Sequence, residues 1–131
     1  MFLPKSVTTA AEWQLIDFQQ RALVSEPAAA AGTCRAQHGP VPQDELWLVD
    51  RMVVSTDSTL STNSTASLYI DAVDPARMID GSRSGNFDVA DLAAAIQLPG
   101  GTILICEWEG VSTGARGTLR LQYQLLRKPT P

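Results

Sequence analysis

The chain has 131 residues, 44% of them hydrophobic and 18% charged, enough for one domain whose core needs neither metal nor disulfide. Acidic side chains outnumber basic ones 14 to 10, for a net charge of −4, and no Lys/Arg cluster is present to neutralise phosphates, which argues against nucleic acid as a partner. No apolar run approaches the roughly 20 residues that span a bilayer, and Met1-Phe2-Leu3-Pro4-Lys5 lacks the basic head and apolar stretch of a secretion signal. No membrane partner is expected, and synthesis and assembly are expected in a cytoplasm.

Residues 1–42 read as an N-terminal arm with the first strands, lying partly outside the main sandwich. Residues 13–18 and 21–24 fit two strands or, together, one short helix. Pro27, the alanine run 28–31 and Gly32 break the pattern, 33–37 suits a strand, and Gly39, Pro40 and Pro42 set a turn. From 43 to 127 the pattern is that of a β-sandwich core. Residues 46–56 make a strand with Leu46, Leu48, Met52 and Val54 on one face and Trp47, Val49 and Val53 on the other, interrupted by Asp50. A Ser/Thr-rich loop follows, then a strand at 66–73 with Leu68 and Ile70 sharing a face.

Short strands fit 77–79 and 86–89, between turns at Asp74, Pro75, Gly81 and Gly85. Residues 88–98 stay open between strand and helical turn, because Val89, Leu92, Ala93 and Ile96 also match helical spacing behind Asp88 as N-cap. Pro99, Gly100 and Gly101 turn into 102–108, apolar on both faces and therefore expected at the centre of a sheet. Residues 110–117 suit a hairpin loop into 118–125, where Leu119, Leu121, Tyr123 and Leu125 alternate without a break against polar residues. Residues 128–131 are a tail. Eight or nine short strands with frequent turns predict an all-β fold: an antiparallel β-sandwich, with a jelly roll as its more specific form, carrying an extended N-terminal arm.

Catalysis would have to run through His38, the sole histidine, which sits beside Gly39 and Pro40 and reads as a surface-loop residue. No Gly-x-Ser-x-Gly elbow, phosphate-binding glycine loop or zinc-ligand spacing is present. Glu107 with Glu109, and Asp71 with Asp74, are carboxylate pairs, but a solvated strand face explains Glu107 and Glu109 as well as a glycosidase site does. The segment from Asp80 partly follows a calcium loop, with Asp80, Ser82 and Ser84 at alternate positions, Gly85 next and Asp91 twelfth. Arg83 within it, Asp in place of the longer Glu, and the lack of flanking helices favour a glycine-supported turn instead. No catalytic residue, metal or cofactor is expected, and the chain does not read as an enzyme. Cys34 and Cys106 read as buried free thiols, with a disulfide between them left open. Trp47 and Trp108 lie in strong strands and are expected in the core, which leaves Trp13 as the tryptophan for a partner.

A series of turn and core features runs through the C-terminal two-thirds. It comprises Leu46-Trp47-Leu48-Val49-Asp50-Arg51, Leu68-Tyr69-Ile70, Asp80-Gly81, Gly85-Asn86-Phe87-Asp88, Leu98-Pro99-Gly100-Gly101, Trp108-Glu109-Gly110 and Gly114-Ala115. In this series, over residues 45–124, the chain resembles small β-sandwich virion proteins of actinobacterial phages, capsid decoration or tail-associated. The resemblance implies a virion location after assembly in the host cytoplasm. The role it implies first is a capsid decoration protein that binds and stabilises the lattice of a major capsid protein, as a symmetric homo-oligomer with a trimer favoured. A phage tail or receptor-binding module recognising cell-surface carbohydrate is the alternative. The arm lies outside the resemblance. Its apolar Phe2, Leu3, Val7, Trp13, Leu15 and Phe18, with Ile16 among them, are the expected partner contacts, laid across a neighbour as an added strand.

Overall fold

The computed structural model describes residues 13–128. They form eight strands: β1 (Gln14–Val24), β2 (Thr33–His38), β3 (Glu45–Thr56), β4 (Thr65–Ile70), β5 (Met78–Ser82), β6 (Phe87–Pro99), β7 (Leu104–Glu109) and β8 (Gly117–Arg127). A single 3₁₀ turn, Pro75–Arg77, precedes β5, and the Asp74 carboxylate caps it by accepting from Ala76 N at 2.9 Å. The strands make two four-stranded antiparallel sheets, a first in the order β1-β8-β3-β6 and a second in the order β2-β7-β4-β5. Among consecutive strands only β4 and β5 pair. An eight-stranded sandwich wound in this way is a jelly roll.

Alternation dictates the core. Leu119, Leu121, Tyr123 and Leu125 of β8 all face inward and are 1–6% exposed. Strand β7 is central in its sheet and buried from Leu104 to Trp108, as its two apolar faces predict. Trp108 is wholly buried, and its Nε1 donates to the carbonyl of Gly85 at 3.1 Å. A Cβ at Gly117 would come within 2.3 Å of the Trp108 ring, so glycine there is what lets the indole rest against β8. Trp47 is likewise in the core, stacked on Tyr123 with ring centroids 4.3 Å apart. Cys34 and Cys106 are buried, free thiols. Burial first, then Cys34 and Glu107 nearby, push the Cys106 thiol up to about 12, so it stays protonated and unreactive near neutral pH.

Two expectations need correcting, and two alternatives left open are decided. Strand β3 has a bulge at Asp50, where Val49 pairs with Tyr123 but Arg51 pairs with Gln122. The inward set therefore switches from Trp47 and Val49 to Met52 and Val54, and grouping Leu46 and Leu48 with Met52 and Val54 joined opposite faces. Residues 88–98 are not helical. They belong to the long strand β6, in which residues 92–95 bulge opposite Asp50, and this break in alternation leaves apolar residues at a helix-like spacing. The loop 110–116 is not a hairpin, because β7 and β8 lie in different sheets; it crosses one end of the sandwich, burying Val111 and Ala115 and exchanging backbone hydrogen bonds with Ala28 and Gly32. Finally, within the segment 1–42 the first strands are part of the sandwich. Strands β1 and β2 form one edge of each sheet, β1 pairing with β8 along its length in place of the alternative short helix.

Candidate interaction surface

The register of the first sheet sets its outward residues in rows across all four strands. One row reads Leu15, Leu126, Leu46, Pro99, and the next Phe18, Gln124, Leu48, Gln97. Below them run Gln20, Gln122, Arg51, Asp91, then Ala22, Arg120, Val53, Val89, then Val24, Thr118, Ser55, Phe87. Of these twenty positions, Arg51, Asp91 and Arg120 alone carry charge, and Arg51 and Asp91 pair with each other at 3.7 Å. Leu15, Phe18, Val24 and Phe87 are large apolar side chains 50–67% exposed. Strands about 4.8 Å apart and rows about 6.8 Å apart give this face roughly 650 Å². That approaches the roughly 800 Å² per partner of a standard protein interface. Depletion of Lys and Glu with retention of Leu, Phe and Arg is the composition of an interface centre.

The outer face of the second sheet is built differently. Its rows read Thr33, Glu109, Thr65; Arg35, Glu107, Ser67, Gly81; and Gln37, Ile105, Tyr69, Met78. Glu107 is 5% exposed because Arg35 lies over it, donating from Nε to Oε2 at 2.5 Å. Ile105, although outward, is buried among these neighbours at 7%.

The remaining candidates are tied into structure. His38 ends β2 rather than sitting in a surface loop; it stacks on Trp47 at 4.8 Å, and burial, then the Arg21 charge, hold it below its ordinary value. Its buried Nε2 has no hydrogen-bond partner among the described residues. Arg21 sits over the Trp47 ring at 5.2 Å. Asp71 pairs with Arg77 at 3.5 Å and accepts from Ile103 N, Asp74 caps the 3₁₀ turn, and Glu107 is held by Arg35. The would-be calcium ligands do not converge: Asp80 and Ser82 are on β5, Ser84 is in the turn after it, and Asp91 is on the other sheet, beside Arg51. Among the described residues no group of three or more His, Cys, Asp or Glu is placed to hold a metal.

Of the predicted partner contacts, Phe2, Leu3 and Val7 lie outside the described residues. Trp13 is half-buried, with the Lys128 ammonium over its ring at 5.7 Å. Leu15, Ile16 and Phe18 are exposed on β1, on this chain's own sheet rather than across a neighbour. Leu46, Leu48 and Leu126 were missed as surface residues. The switch of parity at the Asp50 bulge hid the first two, and the outward-facing pairing of Leu126 with Leu15 and Leu46 appears only in the register.

No protein-family model matches the chain, and no curated protein matches it. Among solved structures, a chain of the acidic stable capsid structure of Helicobacter pylori bacteriophage KHP30 is similar with a TM-score of 0.55 at 9% identity, over 91% of this chain and 98% of that one. The structure of tomato aspermy virus gives a TM-score of 0.39 at 15% identity, over 86% and 79% of the two chains. Infectious bursal disease virus strain Gt gives 0.24 at 9%, over 89% and 42%. The last two scores are too low to bear on the fold. The first extends almost end to end on both chains, and on that ground this protein shares its fold with a chain of a phage capsid.

Proposed function

We propose that this chain is a bacteriophage virion structural protein, a head decoration protein that docks on the lattice of a major capsid protein and stabilises it. The observation that carries this reading is the outer face of the first sheet, a nearly uncharged array on an otherwise self-sufficient sandwich. A face of that size and composition is stable when a partner covers it. The near-complete overlap with a KHP30 capsid chain supports the virion setting. A repeating lattice also favours symmetric binding, so the protein acts as a homo-oligomer, with a trimer favoured. Phe2, Leu3, Val7 and Trp13, with Leu15 and Phe18 of β1, add to the contact with the partner. The carbohydrate-binding alternative would need an exposed aromatic platform, and Trp47 and Trp108, both in the core, are not available for one.

Co-sedimentation of the purified protein with virus particles that lack it tests the reading. Saturable binding at a fixed ratio to the capsid protein, with shells that resist heat better, is the expected result. Binding to cell-wall glycan and none to particles would overturn it.

A further inference from the structure

The edge strands β5 and β6 do not close over the core on their flank of the sandwich. Between them lies a cleft of about 230 Å³ whose apolar floor includes Met52, Val54, Leu68 and Leu119. Its rim follows from the register. Asp80 and Ser82 of β5 pair with the inward Leu68 and Ala66, and Asp88 of β6 pairs with the inward Val54. Asp80, Ser82 and Asp88 therefore occupy the inward positions of their own strands and line the cleft. Ser82 Oγ donates to Asp88 Oδ2 at 2.6 Å, Val89 N donates to Asp88 Oδ1 at 2.9 Å, and Gly81 N donates to Asp80 Oδ1 at 2.8 Å. These bonds fix both carboxylates and leave lone pairs over. None of the ion pairs among the described residues uses Asp80 or Asp88. Inward charges on edge strands deter edge-to-edge pairing, but that role needs neither two acids together nor an open apolar floor beneath them.

We propose that this cleft takes a lysine side chain from the protein surface on which the chain docks, an inference that rests on the docking role proposed above. The apolar floor suits a four-carbon stem and the anionic rim suits an ammonium head. The volume falls below the roughly 300–1,000 Å³ of small-molecule sites, and so fits one side chain better than a free ligand. Lysine fits better than arginine. Each carboxylate already has an oxygen engaged, so neither offers the open bidentate edge that a guanidinium fork matches, whereas an ammonium's donors radiate to separate acceptors.

The test is a titration of the full chain with n-butylammonium, followed by backbone amide NMR, with n-butanol and n-propylguanidinium as controls. Saturable shifts in the millimolar range at Asp80, Ser82, Asp88 and Ala90 are expected. Butanol should bind about tenfold more weakly or worse, as should butylammonium to Asp80→Asn/Asp88→Asn. Ala90→Leu, which fills the cleft without touching the acids, should block the shifts. Absence of saturable shifts, equal binding of butanol or propylguanidinium, or unchanged binding by the double variant would overturn the proposal. The double variant should also bind particles about tenfold more weakly. Wild-type protein that binds particles but not butylammonium would sink the lysine site and leave the decoration role standing. A cleft that binds butylammonium on a protein that ignores particles would sink the decoration role, and with it the named source of the lysine.

Discussion

On the second sheet Arg35 covers Glu107 and Ile105 is buried beneath its neighbours, while Met78 is the large apolar side chain left exposed in its rows. On the first sheet Leu15, Leu126 and Leu46 stand in one row with Phe18 and Leu48 in the next, and among the described residues nothing lies over Leu15 or Phe18. Both faces are outer faces of one sandwich of the same strand count, so the fold does not require the difference. It teaches that an outward residue can be settled in two ways: by its own sheet, as a buried carboxylate is by a cross-strand arginine, or by a partner still to come. The second sheet has used the first way over most of its rows, and the proposed docking role assigns the second way to the first sheet.

A charge placed in the apolar rows sharpens the contrast most. Phe18→Asp or Leu48→Asp should weaken particle binding by about 30-fold or more, as loss of an interface hot spot does, while changing stability by less than about 0.5 kcal/mol at the exposed Phe18. Gln37→Asp on the opposite face should leave binding unchanged. Co-sedimentation isotherms and urea unfolding read the two quantities separately. Next in size is the cross-strand pair. Arg35→Ala should cost about 1–3 kcal/mol in urea unfolding, because it leaves Glu107 buried without its donor. Arg51→Ala on the first sheet, whose partner Asp91 is mostly exposed, should cost less than about 0.5 kcal/mol. Equal costs would break the claim that only the second face is internally settled.

The smallest effect lies at the end of the sandwich and depends on pH. His38 is held below its ordinary 6.5 by burial and by Arg21. As pH falls through that ordinary value the unfolded chain takes up a proton that the folded chain refuses, so stability is constant above it and declines below, levelling off once the folded value is passed. Arg21, Glu45 and Arg127 line the same depression around His38. Unfolding midpoints measured from roughly pH 8 to 5 should show this decline in the wild type and a flatter profile in His38→Gln.

Much of the fold was legible because burial on one face imposes a period of two. Strand β8 and the central position of β7 followed from that rule alone, as did the core placement of Trp47 and Trp108. Errors arose where a bulge breaks the period. At Asp50 it exchanged the faces of β3, and across residues 92–95 it mimicked a helix. The turn at 110–116 has the glycines of a hairpin, and local chemistry does not say which sheet the chain re-enters. The interaction face was half legible. Leu15, Ile16 and Phe18 stood out as apolar residues in a segment without a clear place, but their companions Leu46, Leu48 and Leu126 come from strands far apart in the chain, and only register brings them together.

Electron cryomicroscopy of decorated particles, at a resolution that orients the sandwich, tests the central claim most directly. The account predicts that the outer face of β1-β8-β3-β6 lies against the shell or an adjoining copy, with Leu15, Phe18 and Leu48 covered. A shell seated on Arg35, Glu107 and Tyr69, with the first sheet open to solvent, would contradict it.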